Sequence, residues 1–497
     1  MCGIIAYIGA TPAAPLVCSG LSFLQHRGQD SAGVATMDGD KLLVEKGVGL
    51  ARDVFDLHKI SALHGQAGIG HVRYSTSGSA CALSEIQPFY VNQPYGITLA
   101  HNGNLVNQQT LCRYLAKEAR HINTDSDSEA LLNVLAQAIY ERVRSGGVPP
   151  SALLDAVDDV RAKCTGAFAV VALIAGLGVL AFRDNLGIRP LSLGKRSGND
   201  WLLASESAVF RPLGFDYCGD IAPGETVFID ASRQIHRRTA TKTPGRPCIF
   251  EYIYFARPDS VLDGALVYDA RVNMGRYLAG KIRRQHPQLE IDCVVPIPDS
   301  GRVAALEVSR HLNVPYREGL VKNHHVGRTF IASGDARRRR SVTEKLNIIA
   351  PEFTDKRVLL VDDSIVRGTT GSELVSMARN AGARQVYFAS AAPPVRHPNV
   401  FGIDLPTRAE LLAYGRSEEE IAAHLGADCV IYQDMADLKQ AVREAGRKVP
   451  TDFETSCFDG DYGGIIDEEY LTALEERRGA MRDDSLQLDL DLHGAQS

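Results

Sequence analysis

The pattern of apolar and polar positions changes character near residue 240. Before it, short β-branched or apolar runs at 3–8, 41–44, 97–100, 168–174 and 226–229 are separated by Gly, Asn and Pro, and each predicts a strand. Two stretches, 16–26 and 128–144, have helical spacing instead. In the second, Leu131, Leu132, Val134, Leu135 and Ile139 fall on one face. The longest apolar run, 167–182, is short of the ~20 residues that cross a membrane and is broken by Gly176 and Gly178. It predicts two buried strands joined by a tight turn. The polar stretch 238–247, with two prolines, reads as a linker. Beyond it, strands at 293–297, 357–361 and 385–389 alternate with helices at 302–311 and 370–381, the pattern of a parallel sheet covered by helices. A last helix is expected at 468–478. The fold class is therefore α/β and α+β, with domains at 2–235 and 248–466 and an acidic C-terminal helix and tail over 467–497.

Composition narrows the function classes. The 497 residues are 45% hydrophobic and 23% charged, which excludes a disordered or fibrous chain. The net charge of -6 resides in 467–497, where nine acidic residues face three basic ones, and the rest is balanced. No secretory signal is visible, so a cytoplasmic protein without a membrane partner is expected. The ten cysteines are dispersed with no C-x-x-C, as in a chain of reduced thiols. Against this balance, 322–345 holds Lys322, Arg328, Arg337, Arg338, Arg339, Arg340 and Lys345 with only Asp335 and Glu344, a local +5. It reads either as a solvated loop or as a flap that closes over an anionic group, and without interleaved aromatics it fits a nucleic-acid patch less well.

Candidate chemistry begins at the first residues. Removal of Met1 would leave Cys2 with a thiol beside an α-amine of reference pKa about 7.7–8.0, able to act as its base. In His71-Val72-Arg73-Tyr74-Ser75-Thr76, Arg73 can clamp a carboxylate. Ala100-His101-Asn102-Gly103-Asn104 ends a predicted strand in an Asn-Gly turn. It is either an ordinary hairpin or an oxyanion hole made by the Asn102 amide and the Gly103 N–H. In Thr124-Asp125-Ser126-Asp127-Ser128-Glu129, Ser126 and Glu129 fit a capping box, and Asp127 could hold an ammonium. A carboxylate clamp, an ammonium acceptor and an amide-attacking thiol describe a glutamine site. With His26-Arg27-Gly28-Gln29-Asp30, these segments resemble the class II glutamine amidotransferases, N-terminal-nucleophile hydrolases with a four-layer αββα fold. The resemblance implies Cys2, Asn102 and Gly103 as catalytic and Arg27, Arg73, Thr76 and Asp127 as glutamine-binding.

The second half carries a stronger signal. Val358 to Val361 form an apolar strand ending in Asp362 and Asp363, after which a hydroxyl-rich loop with Gly368 opens a helix. Ligands of open α/β sheets bind past such strand ends, and a helix N-terminus favours phosphate. Adjacent carboxylates call for a cation or hydroxyls. No Lys follows the Gly, so this is not a Walker A loop. Gly176-Leu177-Gly178-Val179-Leu180-Ala181 mimics a dinucleotide fingerprint but no helix follows it. Residues 358–370 resemble the signature of type I phosphoribosyltransferases, which bind phosphoribosyl pyrophosphate (PRPP). By that resemblance Asp362 and Asp363 hold the ribose and one Mg²⁺ per subunit. Ser364, Val366, Arg367, Gly368, Thr369 and Thr370 wrap the 5′-phosphate. Ser300, in the pyrophosphate-type loop 296–301, is a further metal ligand, and Lys322 and Arg328 reach PRPP from the basic stretch.

The two halves in one chain resemble the glutamine PRPP amidotransferases. That implies glutamine and PRPP as substrates, and 5-phosphoribosylamine, glutamate and pyrophosphate as products, in the first committed step of purine synthesis. It also implies an internal ammonia channel, feedback by purine nucleotides, a homotetramer and no nucleic-acid partner. Some family members carry a four-cysteine iron–sulfur cluster and a propeptide. Here Cys248 and Cys457 lie in corresponding segments but Asn399 stands where a third Cys is expected, so neither cluster nor propeptide is expected. A different class II amidotransferase leaves the 358–370 motif unexplained, and a PRPP-sensing nucleic-acid binder leaves the Cys2 set unexplained.

Overall fold

The computed structural model describes residues 1–74, 83–143, 148–240, 244–323 and 346–476. The first domain stacks two antiparallel sheets. One runs Asp216–Asp220, Ser192–Arg196, Asp200–Ala204, Gly3–Ile8, Ala67–Arg73, Ser31–Asp38, Lys41–Val48. The other runs Ile235–Thr239, Glu225–Asp230, Gly178–Arg183, Gly166–Ile174, Ile97–Leu105, Phe89–Val91. Ile4, Ala6 and Ile8 meet Ala169, Val171 and Leu173 between the sheets. Their neighbours Ile5 and Tyr7 face the helix Ala13–Phe23 on the outside, as the period of two requires. Helices Gln108–Lys117, Asp127–Arg142 and Pro150–Lys163 cover the other outer face. The result is the expected αββα stack. The hairpin Gly166–Ile174/Gly178–Arg183 confirms the reading of the long apolar run.

Some boundaries move. The strand Ile235–Thr239 pairs with Glu225–Asp230, so the first domain's sheet extends past residue 235 and the linker begins later than 238. His236, Arg237 and Arg238 follow one another without an apolar alternation, because an edge strand can be polar on both faces.

The second domain holds a parallel sheet in the order Cys293–Pro296, Arg357–Asp362, Gln385–Ser390, Cys429–Tyr432. Leu359 and Val361 face the helices Val267–Gln285 and Arg302–Leu312, while Val358 and Leu360 face Thr369–Asn380 and Glu418–Leu425. Both faces are thus covered, as a parallel sheet needs. The domains share one apolar cluster: Met1, Ala167 and Ile188 of the first pack with Cys248, Ile249, Val400 and Phe401 of the second. Residues 468–476 form a helix that returns to the first domain.

Candidate active site

The glutamine-type motifs converge on a cleft of about 1100 Å³ whose walls include Cys2, Arg73, His101, Gly103, Asn104 and Asp127. Residues 97–105 are one continuous strand, so the expected Asn-Gly turn at 102–103 does not form. The strand tolerates Gly103 at φ +153° because it pairs with Phe168. A Cβ there would lie 1.9 Å from the Ala167 carbonyl oxygen, so the position admits only glycine. The Cys2 backbone N–H donates to Asn102 Oδ1 at 3.3 Å. Asn102 Nδ2 is then buried with no hydrogen-bond partner. A buried unsatisfied donor is costly, and one placed beside a nucleophile is what a developing oxyanion requires.

Arg73 Nη2 donates to Glu85 Oε2 at 2.7 Å, so its guanidinium reaches the cleft already facing a carboxylate. Asp127 Oδ2 accepts the Leu105 N–H at 2.9 Å and Oδ1 accepts the Ser128 hydroxyl at 3.3 Å. The capping box is not formed. Ser126 Oγ accepts from the Ser128 N–H, and Glu129 turns back to the N–H groups of Asn123 and Thr124. Gln87, which carried no sequence signal, accepts the His101 N–H at 2.6 Å and donates to the Ser128 hydroxyl at 3.0 Å, tying the strand to the helix that bears Asp127. His71 lies in the core beneath, and burial pushes its pKa down to about 3, so it is neutral. Thr76 lies outside the described residues.

Arg27, expected among the glutamine ligands, stands apart from the cleft wall. It is buried with all three nitrogens engaged, by Glu206, Glu251 and the Cys2 carbonyl, and it does not line the cleft. Burial pushes the Glu206 carboxyl up, but the His26 and Arg27 charges outweigh it and hold the group well below the usual range.

The second domain and the C-terminal helix complete the cleft. Asn104 Nδ2 donates to the Val400 carbonyl at 2.8 Å and Arg189 Nε to the Phe401 carbonyl at 2.7 Å. Gly402 stacks on Gly103 so closely that a Cβ would come within 2.9 Å of its carbonyl. Asn399 shapes this loop by accepting the N–H groups of Phe401 and Ile403 at 2.9 and 3.0 Å. Cys248 and Cys457 are buried nearby, and burial pushes both thiols up. Among the described residues no group of three or more His, Cys, Asp or Glu could hold a metal. From the helix 468–476, Tyr470, Ala473, Leu474 and Glu476 close one side, and Arg408 grips that helix through Glu468 and Glu475.

At the end of the strand Arg357–Asp362, the Asp363 N–H donates to Asp362 Oδ1 at 2.8 Å and the Ser364 hydroxyl to Asp363 Oδ1 at 2.6 Å. The Ser300 side chain works against the rise in the Asp363 proton affinity, so the two loops lie together. Burial first, then each other's charge, raise the proton affinity of Asp362, and burial raises that of Asp363. A dyad so placed suits a cation. Gly368 caps the helix Thr369–Asn380 at φ +80°, leaving the 364–370 loop at a helix N-terminus. Within that loop, the Val366 carbonyl accepts the Leu412 N–H and Arg367 lies 3.8 Å from Glu410. Arg271 donates to the carbonyls of Tyr252 and Ala256 and its charge acts on Asp363. Lys322 Nζ donates to Asp299 Oδ2 at 2.7 Å, which sets it at the rim of the pyrophosphate-type loop. Arg328 and the rest of the basic stretch, 324–345, lie outside the described residues.

Two sites of this kind in one chain define a glutamine amidotransferase joined to a phosphoribosyltransferase. Residues 71–212 match a family model described as "Glutamine amidotransferase domain", and residues 267–396 one described as "Phosphoribosyl transferase domain". The chain is 49% identical to an amidophosphoribosyltransferase of Pseudomonas aeruginosa over 96% of each chain. It is 47% identical to one of Saccharomyces cerevisiae over 98% of this chain and 97% of the other. A solved structure, glutamine PRPP amidotransferase from B. subtilis complexed with ADP and GMP, superposes with a TM-score of 0.82 at 35% identity, covering 94% of this chain and 98% of that one. The chain belongs to the amidophosphoribosyltransferase family, the enzymes that move the amide nitrogen of glutamine onto PRPP in purine synthesis.

Proposed function

We propose that the chain makes 5-phosphoribosylamine by two coupled half-reactions run on the residues described above. The Cys2 thiolate, freed by removal of Met1 and deprotonated by its own α-amine, attacks the glutamine amide. Asn102 Nδ2–H and the Gly103 N–H stabilise the oxyanion, Arg73 takes the substrate carboxylate from Glu85, and Asp127 takes the ammonium. Ammonia leaves and water hydrolyses the glutamyl thioester. Ammonia released into water at pH 7 would be protonated and lose its nucleophilicity, so it travels inside the protein to ribose C1 of PRPP, where pyrophosphate departs. Asp362 and Asp363 hold the ribose hydroxyls, residues 364–370 the 5′-phosphate, and Lys322 and Arg328 the pyrophosphate end.

Asp362, Asp363 and Ser300 form a hard oxygen donor set, and Mg²⁺ is the cation it fits. When bound, the ion neutralises charge on the departing pyrophosphate. No iron–sulfur cluster is included, because Asn399 spends its side-chain oxygen on two backbone N–H groups. Feedback by purine nucleotides, a homotetramer and a cytoplasmic location complete the reading. A relative complexed with ADP and GMP supports the first of these.

The observation that carries the glutaminase assignment is the buried, unpartnered Asn102 Nδ2 beside Cys2. Its test is Cys2→Ala. Glutamine-dependent pyrophosphate release is expected to vanish while ammonia-dependent release survives, and loss of both in a folded protein would refute the division of labour.

A further inference from the structure

The buried ion cluster at the domain junction bears on how the nucleophile is aimed. Arg27 has no side-chain exposure. Its Nε–H donates to the Cys2 carbonyl oxygen at 3.0 Å. Nη1 donates to Glu206 Oε1 at 2.6 Å and Glu251 Oε2 at 3.0 Å, and Nη2 to Glu251 Oε1 at 2.8 Å. Glu206 belongs to the first domain and spreads its charge over His26 Nε2, the Arg257 N–H and the Ser260 hydroxyl. Glu251 belongs to the second domain, where it opens a π-helical turn closed by the Ala256 N–H on its carbonyl at 3.0 Å. Only Glu251 grips the guanidinium at two points, which fixes its plane as well as its position.

Once Met1 is gone, Cys2 is a chain end tethered on one side only. Beside the contact of its nitrogen with Asn102 Oδ1, its carbonyl oxygen is then an atom through which the protein sets the direction of the thiol and the amine. We propose that Glu251, reaching from the second domain, is a positioning residue of the glutaminase reaction: it locks Arg27, and Arg27 holds Cys2 facing Asn102 and Gly103. The proposal rests on the reading of Cys2 as nucleophile. Glu251 does not line the glutamine cleft, so it acts through Arg27 and not on substrate.

A misplacement of about 1 Å at a reacting group costs roughly 10²-fold in rate. Glu251→Gln keeps the shape while removing the charge and one of the two acceptors. Glutamine-dependent kcat is expected to fall roughly 10- to 100-fold, with the KM values for glutamine and PRPP little changed and ammonia-dependent synthesis retained in the same preparation. Arg27→Gln should give the same selective loss, and the double variant no further loss, because both act on one link. Equal loss of the two activities, an unchanged glutamine-dependent kcat, or multiplicative effects in the double variant would each overturn the proposal. Should Glu251→Gln fail to fold, Arg27→Gln decides, since Glu251 there keeps Arg189 at 3.5 Å. A retained glutamine-dependent kcat in that variant overturns the proposal, and a selective loss supports it. Cys2→Ala is run in parallel: if it keeps glutamine-dependent activity, the reading of the nucleophile has failed and not the positioning argument.

Discussion

Asn102 offers a substitution whose effects on activity and stability should separate. In the resting site its oxygen accepts the Cys2 N–H at 3.3 Å, a long bond worth about 0.5–1.5 kcal/mol. Its nitrogen is buried without a partner, which costs the fold about 1–3 kcal/mol. Asn102→Ala removes both, so the two terms nearly cancel and stability should stay within about 2 kcal/mol of the parent. In the transition state the account is different. In the proposed mechanism the nitrogen meets an oxyanion there, and losing one such donor costs about 10²–10³ in kcat, or roughly 2.7–4 kcal/mol. The assay is glutamate release and pyrophosphate release with glutamine, repeated with ammonia, alongside urea unfolding. The expected result is a kcat lower by at least about 10² with glutamine, a nearly unchanged ammonia rate and a nearly unchanged unfolding midpoint. A glutamine-dependent kcat within tenfold of the parent would mean that Asn102 Nδ2 is not an oxyanion donor. A parallel loss with ammonia would mean that the substitution had disturbed more than the first half-reaction.

Two further outcomes follow from the geometry. Replacing Asp362 and Asp363 together by Asn should lower pyrophosphate release by roughly 10² or more with either nitrogen source, because both modes share the ribose site; unchanged PRPP kinetics would sink the assignment. Asp220, in the first domain, is pushed up to about 6 by burial and by Asp263 in the second. A carboxyl raised in the folded state favours folding while protonated, and that advantage is lost as pH rises from about 4 through 6. Asp220→Asn should therefore stabilise the protein by up to about 3 kcal/mol above pH 6, with the gain shrinking toward pH 4. An equal gain at pH 4.5 and 7.5 in urea unfolding would show that the titration is not the cause.

Much of the fold was legible because its signals are local. The strand 3–8 and the helices at 16–26 and 128–144 appear within a few residues of their expected ends. The parallel sheet could be read from strands that alternate with helices. What escaped were elements whose pattern depends on a neighbour. The helix Val267–Gln285 shows no clean apolar face because Arg271 and Lys281 are buried along with its apolar residues, paired to backbone carbonyls and to Asp434. The Asn-Gly pair at 102–103 reads as a turn by itself. It stays in a strand because Ala169 and Phe168 pair across from it, contacts 67 and 65 residues away in sequence.

The site divides in the same way. Cys2, Asn102, Asp362 and Asp363 stand in compact motifs whose residue types point to the chemistry proposed for them. Arg27 stands in such a motif too, where the resemblance implies a glutamine ligand, and the carboxylates that the structure places against it are Glu206 and Glu251, 179 and 224 residues away. A sequence names the charge that a residue brings, whereas its partner is set by the packing of two domains. For this reason the sequence assigned no role to the residues from the second domain that reach the glutamine half, Glu251, Val400 and Gly402. Each acts through a backbone contact or a buried ion pair whose other end is a residue of the first domain. These contacts between the two domains become visible only when both sides are seen together.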